Sequence, residues 1–256
     1  MKISYMVNFK DMKLLQIANI VGFIAVVTVN ILANALPING KTTGELSDSY
    51  PNLFVPAGYV FAIWGVIYLL LLAFTVYQAS PKRKGAQFLG KIGYLFGISC
   101  AANVVWIFLW HYELLFPSLI AMFALLGSLI TIYLRLDIGR GDPPREERLY
   151  VHLPFSVYLG WITVATIANV VAALVSLNWD GFGLGEVTWT MTLIVVAVIL
   201  TLLNIQTRGD IGYTLVIVWA LGGIIVKQMA IQGIVATAGL GIIVLVAFLA
   251  FKRLRS

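Results

Sequence analysis

Charge is scarce in this chain. Of its 256 residues 11% are Asp, Glu, Lys or Arg, against 61% apolar. A soluble domain carries about 25% charged residues, because its surface has to face water. So few charges cannot cover a water-facing surface, so lipid has to be the main solvent. Cysteine is nearly absent too. Cys100 stands alone, which excludes an intrachain disulfide and a cysteine-based metal cluster. Its place inside an apolar run gives it a packing role. Histidine is limited to His111 and His152, on different spans and near opposite faces. No nucleophile–base pair supports dedicated catalysis.

What is abundant is long apolar runs, at a mean hydropathy of +0.95. Backbone groups in lipid must bond internally, which leaves helices or a closed barrel. A barrel would alternate apolar and polar residues over segments of about ten. Here the runs are near-continuous and about twenty residues long, enough for a helix to cross. The fold class is therefore all-α, a polytopic membrane bundle. Eight spans are expected near 17–37, 56–78, 92–110, 117–135, 151–176, 188–206, 211–227 and 230–251. The seventh is short. Short connections make sequence neighbours antiparallel. The first span also resembles a secretory signal with an A-x-A site at Ala33-Asn34-Ala35. Its apolar stretch is longer than a signal core, which favours a retained helix.

The net charge of +6 reads as loop anchoring by the positive-inside rule, with no nucleic-acid partner. Threading the eight spans puts Lys2, Lys10, Lys13, Lys82, Arg83, Lys84, Lys91, Arg135, Arg140, Arg145, Arg148, Arg208, Lys252, Arg253 and Arg255 on one side. Lys41 and Lys227 fall on the other, a split of 15 to 2. That places both termini in the cytoplasm and the chain in the inner membrane, among lipid partners. The longest outer loop, 38–55, is rich in turn residues. It reads equally as a lid over the outer mouth or as a plain connector. The inner segment 137–148, with both signs of charge and Pro143-Pro144, reads as a solvated loop.

Charges inside a membrane are costly and usually functional, and every Asp and Glu here falls at or beyond a span end. That argues against a proton- or sodium-coupled transporter. The polar groups within spans are amides: Asn30, Asn34, Asn103, Asn169, Asn204 and Gln206. Each is expected to bond a neighbouring helix, for under about 1 kcal/mol. Aromatics are more specific. Trp64 and Tyr68 are four apart on one helical face. Trp106 and Trp110 repeat the spacing, with Asn103 a turn earlier. Tyr158 and Trp161 lead a stripe through Ala165 and Asn169. Flat apolar walls with a few donors suit a large planar ligand, and ordinary aromatic packing is the competing reading. Trp179 and Trp189 flank a loop, as interface anchors do. No internal repeat is evident.

These residues resemble the TspO/MBR family, the tryptophan-rich sensory or translocator proteins. The family's second helix opens with a proline pair and runs to W-x-x-x-Y, here VPAGYVFAIWGVIY: Pro56 matches the second proline and Trp64 and Tyr68 the aromatic pair, while Gly58 and the further ligand-site candidate Tyr59 stand where a tryptophan is usual. Its third helix carries N-x-x-W, here Asn103 to Trp106, followed by Trp110-His111. Its fifth carries an aromatic and W-x-x-x-A-x-x-x-N, here Tyr158, Trp161, Ala165 and Asn169. The sequence departs where Val55 replaces the first proline and where the tryptophans flanking that pair are missing. The motifs cover about residues 15–178. The resemblance therefore implies a five-helix TspO-like bundle at 1–178, commonly dimeric, and a three-helix C-terminal extension at 179–256. It implies a receptor, sensor or carrier for a hydrophobic planar molecule, a tetrapyrrole such as protoporphyrin or haem, with no required cofactor. An uncoupled permease for a small hydrophobic solute or lipid is the alternative. A porphyrin-degrading enzyme is a minor third. Neither histidine is expected to ligate haem.

Overall fold

The structure is a computed structural model that describes residues 9–36 and 38–255, with side chains from residue 12 onward. The expected end of the first span at residue 37, Lys2 and the Lys10 side chain lie outside the described residues.

Among the described residues eight long helices follow one another: α1 Phe9–Ala35, α2 Ile63–Ala79, α3 Leu95–His111, α4 Leu115–Arg135, α5 Leu153–Ser176, α6 Glu186–Arg208, α7 Ile211–Lys227 and α8 Gln232–Leu254. Six of them, two counted with their lead-in turns, are long and apolar enough to cross a membrane. The other two, α3 and α7, have 17 residues each. At 1.5 Å per residue that is about 25 Å, against a hydrocarbon core of about 30 Å. The protein is an integral multi-pass membrane protein with an all-α bundle fold.

Local chemistry sets the breaks. Gly209 ends α6 in the left-handed region at φ 63°, and its N–H returns to Asn204 O and Ile205 O. Glycine takes that conformation without a Cβ clash. Asp210 then caps α7 by accepting from Tyr213 N. Gly93, at φ 53°, separates the short helix Gln87–Ile92 from α3. A π-helical turn, Arg148–His152, leads into α5, whose Pro154 lies in the first turn.

The first five helices close a ring in the order α1, α3, α4, α5, α2. Helix α7 packs on the outside of α5, and α6 and α8 pack on α7 and on each other. Close approach there depends on small residues. A Cβ on Gly160 would lie 3.1 Å from Tyr213 O, and one on Gly212 would lie 2.5 Å from Ser156 Oγ. The half of the ring nearest the helix ends that carry most of the lysines and arginines, the basic end, is filled by Phe74, Phe96 and Phe155. Their centroids are 5.0–5.7 Å apart.

Two expectations change. Asn34 and Gln206 are exposed, and among the described residues their side-chain amides bridge no helices; the Asn34 amide bonds its own helix at Asn30 O. Asp210 does sit at a helix end, but it is buried. Its carboxylate accepts from Tyr133 Oη at 2.8 Å and Ser156 Oγ at 2.6 Å. Tyr133 in turn accepts from Asn204. Four helices, α4 to α7, therefore meet at one carboxylate. A second polar joint, Gln16 and Gln78 bonding each other's backbone carbonyls, links α1 to α2.

Removing the Asp210 acceptor strands buried donors, at about 1–3 kcal/mol. Asp210→Leu is expected to lower the melting temperature of the purified protein by roughly 5 °C or more, and Asp210→Asn by less. An unchanged melting curve for both would show that this carboxylate does not hold the joint.

Candidate functional site

Three helices supply the aromatic stripes, and the ring order brings them face to face. Trp64 of α2 is the hub. Its ring lies 5.6 Å from Tyr68 and 6.4 Å from Trp106, both stacked. Tyr158 and Trp161 meet it edge-on at 6.2 and 6.1 Å. Trp110 stacks on Trp106 at 5.9 Å. Such pairs add about 0.5–1.5 kcal/mol each beyond burial.

Amides fix the rings from behind. Trp106 Nε1 donates to Asn169 Oδ1 at 2.8 Å, and Asn169 Nδ2 donates to Ser118 Oγ at 3.0 Å. Asn30 Nδ2 donates to Asn103 Oδ1 at 2.7 Å, and Asn103 Nδ2 donates to Tyr158 Oη at 3.1 Å. The second chain ties α1, α3 and α5 at one level. Every link is buried, so each bond is exchanged against no water.

Loop 38–55 folds over the rings. Its short helix, Thr43–Asp48, starts with a capping box. Thr42 Oγ1 accepts from Glu45 N, and Glu45 returns to Thr42 N. That S/T-x-x-E pattern is legible in the sequence. Leu46, Phe54 and Val55 of the loop are buried. His111, at the end of α3, holds it down. His111 Nδ1 donates to Ile38 O at 3.1 Å, and Nε2 accepts from Thr43 Oγ1 at 3.0 Å. A carbonyl only accepts, so the bonding assigns the ring proton to Nδ1. Asn39 adds a bond to His111 O. On the other flank α7 grips the loop: Lys227 pairs with Asp48 at 2.8 Å, Gln228 donates to Leu53 O at 3.2 Å, and Ala57 N donates to Gly223 O at 3.1 Å. A Cβ on Gly223 would sit 2.1 Å from Val60 Cγ2, so only glycine allows this approach. Of the two readings of the loop, the geometry is that of a cover.

Between cover and rings lies a cavity. Its wall includes Pro56, Trp64, Trp106, Trp110, Trp161, Ala165 and Asn169 of the residues singled out by sequence. Tyr68, Asn103 and Tyr158 sit one layer behind them. Tyr59 is placed outside: it is half exposed and packs edge-on against Trp219 of α7 at 5.4 Å. Sequence reasoning missed Thr43, Ser47, Val55 and Phe61, which the cover and the turn before α2 contribute. It also missed Val164 and Ala168, although they continue the Trp161 stripe at helical spacing. The free space is about 40 Å³. That admits a few waters and is far below the roughly 300–1,000 Å³ of a small-molecule site. The indole N–H groups of Trp110 and Trp161 find no partner among the described residues.

An all-α, multi-pass membrane bundle with a tryptophan-walled cavity under a folded loop is the class of protein these features define. A family model described as TSPO-like protein matches residues 16–251. The chain belongs to the TSPO-like protein family. The match continues past residue 178, where the motifs stop, and takes in most of the last three helices. No curated protein and no solved structure matches the chain.

The cover also carries an acid-sensitive clamp. Glu113 accepts from Tyr50 Oη at 2.7 Å and from Lys41 Nζ at 3.1 Å. The Tyr50 bond first, then Lys41, holds the Glu113 carboxyl below its ordinary 4.5. Burial first, then Glu113, pushes Tyr50 up to about 12. The group is mostly exposed, so the pair alone adds little. A lowered carboxyl pKa gives a contribution present above the ordinary value and lost as pH falls through the lower folded value. Acrylamide quenching of tryptophan fluorescence is therefore expected to be flat near neutrality and to rise below pH 4.5. Glu113→Gln should show the raised quenching at neutral pH. Equal quenching of both proteins across that range would exclude the clamp.

Proposed function

We propose that the protein is a membrane receptor or carrier that takes up a flat hydrophobic molecule into the tryptophan cavity. One observation carries this reading. The three motif-bearing helices direct their rings at a space that is roofed by a folded loop instead of being filled by side chains. The cavity's small volume means that the loop has to lift for any ring-sized ligand to enter. Lifting it has to expose the buried Leu46, Phe54 and Val55 and to break the polar contacts to Glu113, His111 and α7.

The resemblance of the motifs points to a tetrapyrrole as the ligand class. Uptake and sensing are favoured over permeation by the phenylalanine plug. Phe74, Phe96 and Phe155 are fully buried and fill the ring between the cavity and the basic end, so a through-path would require them to part. The distribution of lysine and arginine favours an inner-membrane orientation with both termini cytoplasmic and the cover facing outward.

Titrating the purified chain with protoporphyrin IX is expected to quench tryptophan fluorescence saturably. Trp161→Ala should raise the half-saturation concentration by about tenfold or more. Linear, unsaturable quenching, or a Trp161→Ala protein that titrates like the parent, would dismiss the cavity as the binding site. For orientation, a reporter active only in the cytoplasm should work when fused to either terminus. Activity at one end alone would overturn the proposed threading.

A further inference from the structure

Helix α2 carries a second hollow, away from the tryptophan cavity. Leu69, Leu72, Ala73 and Val76 recur at i, i+3, i+4 and i+7, so they share one side of the helix. Leu69, Leu72 and Val76 are exposed, at a depth where lipid is the solvent. Tyr77 extends the row, and Tyr150 stands opposite it, with the two rings 5.2 Å apart. Tyr150 belongs to the π-helical turn Arg148–His152, an element that recurs at functional sites. These six residues line a groove with about 390 Å³ of free space, within the roughly 300–1,000 Å³ of small-molecule sites. From Leu69 to Tyr77 it runs about 12 Å along the helix. None of the six lines the tryptophan cavity.

No lining residue carries charge; charge collects at one end of the groove. Arg83 lays its guanidinium over the Tyr77 ring, 4.5 Å from the centroid, and pairs with Glu146. Glu147 lies against His152 at 3.8 Å. Lys82 and Lys84 flank Arg83 in the turn after α2. Both are exposed, and neither has an ion-pair partner among the described residues. The two lysines leave this end positive. An occupant therefore has to be apolar along its length and anionic at its head.

A second copy of the chain does not meet that description. Inserted the same way, it would bring its own basic turn to the same level, and like charges would face each other. A phospholipid does meet it. Its acyl chain lies along Leu69 to Val76, and its phosphate stays at the water boundary. A zwitterionic headgroup would add an ammonium beside the lysines, and an anionic one would not. Basic pockets between helices hold anionic headgroups for this reason.

We propose that this groove binds an anionic phospholipid, with one acyl chain along α2 and the phosphate held by Lys82, Arg83 and Lys84. Tyr77 and Tyr150 sit at headgroup level, where tyrosine settles in membranes. The site does not depend on the reading of the tryptophan cavity.

Native mass spectrometry of the full chain counts the lipids it keeps. The purified protein is equilibrated in detergent with equal amounts of dioleoyl phosphatidylglycerol and dioleoyl phosphatidylcholine, which carry the same chains. Phosphatidylglycerol is expected to be retained about fivefold over phosphatidylcholine. Replacing both lysines, Lys82→Gln with Lys84→Gln, should abolish that preference. They sit in an exposed turn, so the double variant keeps the fold. Ala73→Trp fills the groove without altering charge and should release most of the retained phosphatidylglycerol. Excess inorganic phosphate should displace none of it. Equal retention of the two lipids by the parent would overturn the proposal, as would a preference that survives the lysine double variant. An Ala73→Trp protein that retains lipid like the parent would leave charge alone as the cause and dismiss the groove. Displacement by inorganic phosphate would make this a free-anion site and sink the lipid assignment.

Discussion

In lipid a buried donor or acceptor has no water to fall back on, so its partner must be part of the protein. That constraint organises this molecule. The amide chain Asn30–Asn103–Tyr158 sets the level at which three helices of the ring meet. The Asn169 amide orients Trp106 and joins α5 to α3 and α4. The Asp210 carboxylate gathers donors from the α4 and α5 helices and caps α7. Six buried side-chain atoms, among them the indole nitrogens of Trp110 and Trp161 and the Tyr68 hydroxyl, find no partner among the described residues.

Helix α7 has a part in both halves of the molecule. Its first residues sit against the Asp210 cluster at the basic end. Its last ones hold the cover through Gly223 O, Lys227 and Gln228. Trp219, near its middle, donates to Val60 O in the turn before α2. Of the three helices that lack aromatic motifs, α7 is therefore packed into the cavity's roof as well as against the ring's outer face. Being short matters less for α7 than for a lipid-facing span. Much of its surface, including Gly212, Ile217, Ala220 and Ile224, is covered by α5, α6 and α8.

Much of this was legible in the chain. Near-continuous apolar runs fix the number and rough ends of the helices, because a lipid-embedded backbone has few alternatives. Trp64, Trp106, Trp161, Ala165 and Asn169 were legible as candidates because helical spacing puts each stripe on one face. Asp210 was legible only as a residue at a helix end. Its burial depends on Tyr133 and Ser156, which lie 77 and 54 residues away. Tyr59 lies close to Trp64 in the chain but not on its helix. It lies in the 3₁₀ turn Gly58–Ala62, where the periodicity of α2 does not apply, and the side chain faces outward to Trp219.

By itself the sequence determined the class of protein, the helix order, the segregation of positive charge and the three aromatic stripes. All of these follow from local rules: hydropathy over a membrane's thickness, the charge of short loops and the 3.6-residue turn. The tertiary structure alone decided that the stripes converge, that loop 38–55 is a roof, that α7 clamps it, and which indoles keep a free donor. Those outcomes depend on which helices are neighbours in the ring and on close approaches at single glycines. Such contacts join residues remote in the chain, and no local pattern records them.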